Sequence, residues 1–97
     1  MVTYLKEHIK EEIAGAKDYL TKAIELKAKY PEWAAKFFKM AEMEIEHANC
    51  MTKMFVSVDK PDAMTDAEYS TAQKSIIDDY TSSMSSIEGL KKLYHTS

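Results

Sequence analysis

The segment "KMAEMEIEHANCM", Lys39 to Met51, sets Glu44 and His47 three residues apart. In a helix that is one turn, so the carboxylate and the imidazole share a face, and the other inward positions of the run are Met, Ala, Ile and Phe. Carboxylate oxygens together with an imidazole nitrogen suit iron, manganese or zinc, and the (i, i+3) spacing lets Glu44 and His47 hold one ion from the same side. Glu12, in "KEEIAGAKDYL", is the third candidate. Unpaired carboxylates in a core are costly or take up protons, so inward acids call for a cation or a shared hydrogen-bond network.

Other donors stand nearby in the chain. Met40, Met43, Cys50, Met51 and Met54 flank His47, and soft sulfur beside imidazole suits Cu(I), although Met is an ordinary core filler and a lone Cys is commonly buried. His8, four residues before Glu12, reads with Glu11 either as an outer metal ligand pair or as solvated surface. Asp78 and Asp79 carry the same two readings.

The elements that must position these residues are helical. Apolar residues recur at Leu5, Ile9, Ile13, Ala16, Leu20, Ala23 and Ile24, which predicts a first helix over about 3–30. Pro31 suits a first helical turn and drives the residue before it out of the α region, so "KYPEW" is a tight reversal. A second helix over about 31–57 follows, with Trp33, Ala34, Phe37, Phe38, Ala41, Ile45, Ala48, Met51 and Phe55 facing inward. "SVDKPDAM" interrupts it, and Thr65 with Glu68 forms a capping box that opens a third helix over about 65–94. Its inward set is Tyr69, Ala72, Ile76, Tyr80, Met84, Ile87, Leu90 and Tyr94, with "TSSMSS" and Gly89 as weak interior.

Phase and height then bring the candidates together. At roughly 100° per residue, Glu12 lies about 60° from the centre of the first helix's apolar face and Glu11 about 160° away. The apolar arc of the second helix spans about 200°, wide enough to need neighbours on more than one side, and Glu44 and His47 fall inside it. With a reversal near residues 28–31, Glu12 and the turn from Glu44 to His47 both stand ~25 Å from the bend. Three ligand-capable side chains therefore meet at one level.

Composition bounds the alternatives. A chain of 97 residues makes one domain, and one this small is often completed by oligomerisation. Apolar residues at 45% against 30% charged, with two Gly and two Pro, fit a folded helical protein. The net charge of −3, with lysines interleaved among acids, argues against nucleic acid as a partner. No apolar run approaches the ~20 residues of a membrane span, and "MVTYLKEHIKEE" lacks the apolar stretch of a secretory signal, so cytoplasmic residence is the expectation. A lone Cys50 makes no internal disulfide.

"EEIAGAKDYL", followed about thirty residues later by "EMEIEHA", resembles the first half of the ferritin-like superfamily, rubrerythrins included, and most closely the encapsulated-ferritin type. The likeness covers residues 5–56. It implies that Glu12 is the bridging carboxylate of the first helix, that Glu44 and His47 are a Glu-x-x-His pair, and that Tyr19 is the tyrosine near the metal centre. The full plan takes Glu from two helices and Glu-x-x-His from two more. The third helix offers neither, since Glu88 has Lys at position 91 and His95 follows Lys92.

What the resemblance implies is an all-α half-domain over residues 1–97, a long antiparallel hairpin plus a third helix, that dimerises into a ferritin-like four-helix bundle. Glu12, Glu44 and His47, given twice, would hold a di-iron centre that oxidises Fe(II) with O₂ or peroxide. "EGLKKLYHTS" has a faint likeness to the peptides that place cargo inside an encapsulating shell, which makes such a shell a further partner to consider. Two other readings stand beside this one: a helical assembly module without chemistry, and a copper-binding protein.

Overall fold

Leu5, Ile9, Ile13, Ala16, Leu20 and Ala23 form one buried stripe along α1 (Val2–Leu26), as their spacing requires. The computed structural model describes residues 1–97, and its other elements are α2 (Pro31–Ser57) and α3 (Asp66–Thr96). There is no strand, so the protein is all-α. α1 ends four residues earlier than its pattern predicts. Tyr30, held at φ −130° by the following proline, has left the helical region, and residues 27–29 are used to reverse the chain.

α2 packs on α1 through a heptad of small residues, Ala34, Ala41 and Ala48, closed at its far end by the fully buried Phe55. Small side chains at every seventh position let two helices lie close along a single seam. α3 lies chiefly against α1 and touches α2 less, adding Ile76 and Ile87 to the core. The capping box starts it: Glu68 N–H donates to Thr65 Oγ1 and Thr65 N–H donates to Glu68 Oε1, each at 3.1 Å. Its weak interior continues as helix through "TSSMSS" and Gly89.

Both ends of α3 are pinned, which sets its direction parallel to α1. The Tyr69 hydroxyl donates to the Val58 carbonyl near the end of α2. At the other end Lys27 donates to the Tyr94 carbonyl and lies 4.5 Å from the centre of the Tyr94 ring, while that ring stacks on Phe38 at 4.5 Å. A lysine on the last carbonyls of a helix satisfies orphan acceptors and complements the helix dipole.

Trp33 corrects the inward set assigned to α2. It is 57% exposed, stacked on Tyr30 at 4.9 Å, because at the start of α2 it points away from the seam with α1. The molecule measures 53 × 18 × 14 Å and buries only 12 of its 97 residues, so one chain covers just one side of the broad apolar arc of α2. No helix is long and apolar enough to cross a membrane.

Candidate metal centre

The hairpin brings Glu12 of α1 level with Glu44 and His47 of α2. Each of the three offers one ligand atom, and these atoms all lie within 4.8 Å of one another. Glu12 is held by the buried stripe around it, with Ile13 and Ile9 against the core, and its side chain is only 19% exposed. His47 Nδ1 stands 3.4 Å from Glu12 Oε2, with the imidazole 55% exposed. Glu44 lies half-buried between the two helices. The height argument from the sequence holds for all three.

The electrostatics of the cluster favour a cation. Glu44 is held above the ordinary carboxyl range, first by the hydrogen bond it shares with Glu12, then by burial and by the charge of Glu12, with His47 pulling the other way. Two carboxyls that close resist double ionisation. Glu12 Oε2 is buried and makes no hydrogen bond, despite the nearby imidazole. An orphaned anionic oxygen, a second carboxylate and an imidazole make a hard-to-borderline donor set of the kind that holds iron, manganese or zinc. The residues therefore fit a metal ion.

The remaining candidates fall elsewhere. Tyr19 makes no hydrogen bond to the three ligands; its half-buried ring lies 6.0 Å from that of Phe37. His8 and Glu11 form a surface pair at 3.5 Å, with the His8 ring 4.2 Å from Tyr4. Asp78 and Asp79 are exposed, Asp79 at a groove between α1 and α3 that Lys10 and Lys17 also line. Cys50 is a free, exposed thiol. One residue of the cluster's surroundings escaped the sequence reading: Gly15, one turn past Glu12, faces the Glu44 carboxylate. A glycine inside an otherwise regular helix was the only signal of it.

The sequence model of the family described as Rubrerythrin matches residues 3–96. No curated protein gives a significant match, and neither does any solved structure.

Proposed function

Since the chain belongs to the rubrerythrin family of the ferritin-like superfamily, whose domains usually bind iron, we propose that Glu12, Glu44 and His47 are iron ligands. In this reading two copies of the chain complete a di-iron centre that oxidises Fe(II). The observation that carries it is the meeting of the three donor groups within 4.8 Å on a face that α3 leaves open. A di-iron site of the ferritin-like plan takes twice that number of ligands, which a second copy supplies.

The same face supports a partner of the same kind. Met40, Met43, His47 and Met54 fall within about 60° of one another around α2 at 100° per residue. All four are exposed in the single chain, and so is Trp33 further up the helix. A long apolar strip around an unsatisfied carboxylate is the surface a second hairpin would cover, with both sets of ligands then facing one another. Homodimerisation is therefore part of the proposal, and a surrounding shell is one destination for the product.

Bound iron would supply the redox change, each Fe(II) giving one electron to a shared O₂ or peroxide. Glu12 and Glu44 contribute hard anionic oxygens, which favour the more highly charged oxidised ion. His47 contributes a neutral nitrogen from the rim of the cluster, where its exposed ring leaves room for an oxidant to enter. Glu12, whose hydrogen bond and charge hold Glu44 above the ordinary carboxyl range, would share a bound cation with it, and that cation would favour the ionised form of both. Tyr19 is assigned a supporting place near the centre on the family likeness alone.

Aerobic addition of Fe(II) tests the activity. Fe(III) absorbance should develop faster with the protein than in buffer, and Glu44→Ala should remove the excess rate. A folded, metal-loaded protein that oxidises Fe(II) no faster than buffer would leave a metal-stabilised assembly protein without this chemistry.

A further inference from the structure

Gly15 lies in the middle of α1 with an ordinary helical backbone, as no glycine in the chain has a positive φ. Conformational freedom does not account for it, and glycine in a helix interior is markedly less favourable than alanine. Space does account for it. A Cβ built at position 15 would lie 3.3 Å from Glu44 Oε2, 3.5 Å from Glu44 Cδ and 3.8 Å from Glu44 Cγ, and those are its three nearest neighbours. Gly89, the other glycine, is also inside a helix, and a Cβ there would meet nothing within 4 Å.

We infer that Gly15 is a positioning residue for the metal cluster: its missing side chain seats the Glu44 carboxylate against α1, beside Glu12. This rests on the reading of Glu12, Glu44 and His47 as metal ligands. A methyl group at position 15 would sit closer to Glu44 Oε2 than the usual 3.5–4.0 Å of a relaxed heavy-atom contact. The carboxylate is the far end of a flexible side chain, so it yields by a few tenths of an ångström and the fold is spared. It yields away from the α1 backbone at position 15, however, and so shifts one of the three donors from its present place in the cluster. Metal sites tolerate donor displacements of only about 0.2 Å, which makes the same small movement costly to ion binding. The glycine thus trades helix stability for ligand placement.

Gly89→Ala provides the control, because it makes the same exchange with nothing to displace. In the full-length chain, stripped of metal, both Gly15→Ala and Gly89→Ala should raise the melting temperature, each by up to about 4–8 °C. Anaerobic calorimetric titration with Fe(II), at one protein concentration, should then separate them. Gly89→Ala should bind as the parent does, and Gly15→Ala should bind about 10–100-fold more weakly. Glu44→Asp draws the carboxylate back by one methylene, so in that background Gly15→Ala should change affinity by no more than about threefold. Equal Fe(II) affinity in the parent and Gly15→Ala overturns the inference. So does an undiminished loss in the Glu44→Asp background, and so does a lower metal-free melting temperature for Gly15→Ala, since the added methyl would then be meeting something other than Glu44. A parent protein that binds no Fe(II) instead removes the metal-ligand reading itself, and the inference falls with it.

Discussion

Glu12→Gln should stabilise the metal-free protein and destabilise the metal-loaded one. Glu12 Oε2 is buried without a hydrogen bond, and an acceptor left in that state costs about 1–3 kcal/mol. Two ionised carboxylates with oxygens no more than 4.8 Å apart would repel by roughly 3.5 kcal/mol or more at an effective dielectric constant of about 20. The same repulsion raises the Glu44 pKa, and protonation there would relieve part of it. His47, 55% exposed, offsets only a fraction, since exposed ion pairs contribute about 0–1 kcal/mol. The glutamine amide removes the charge and adds a donor for the Glu44 carboxylate, for a net gain of about 1 kcal/mol and a melting temperature about 4–8 °C higher. With Fe(II) at about 100 times its dissociation constant the parent gains about 2.7 kcal/mol, and a variant lacking one of the three ligands gains far less. Thermal melts in chelator and in anaerobic Fe(II) should therefore show the two proteins changing order. A variant that melts below the parent in chelator, or an order unchanged by metal, would refute this account of Glu12.

The elevated affinity of Glu44 for its proton fixes a pH dependence. Its folded-state pKa is raised above the ordinary 4.5 by Glu12 and burial, so its stabilising contribution is complete below that value and is lost as pH rises through the raised one. In chelator, the parent should lose stability relative to Glu44→Gln across that interval, measured by denaturant titration at stepped pH; a constant difference would contradict the shared proton. Cys50→Ser and Met51→Leu should leave Fe(II) affinity nearly intact while His47→Ala abolishes binding in the same titration, and the opposite pattern would favour a soft-metal site. Thr65→Ala removes the acceptor for the Glu68 N–H and should cost about 1 kcal/mol, lowering the melting temperature by about 4–8 °C without changing metal affinity.

Much of the fold is local and for that reason legible in the chain. The stripe from Leu5 to Ala23, the proline at the head of α2 and the Thr65–Glu68 box each act within a few residues, and the structure has all three. The meeting of the three donors was legible because a tight hairpin equates distances from its bend, which put Glu12 opposite Glu44 and His47. Coverage was less so. Periodicity marks the whole apolar arc of α2 but not which side α1 and α3 occupy, and Trp33 was assigned inward though it stands on the open side. The end of α1 was missed because residues 27–29 are helix-compatible by type, and the length needed to reverse direction is a tertiary requirement. Gly15 was passed over for the same reason: its contact lies across the hairpin and depends on how Glu44 is seated.

One chain is proposed to carry half of a two-metal site, with Glu12, Glu44 and His47 as its share of the ligands. Native mass spectrometry of the anaerobically Fe(II)-loaded protein counts chains and ions in a single species. The expected species is two chains carrying two irons, reverting to single chains when a chelator removes the metal. Single chains that hold iron stably, or two-chain species that form and persist with no iron bound at all, would contradict it.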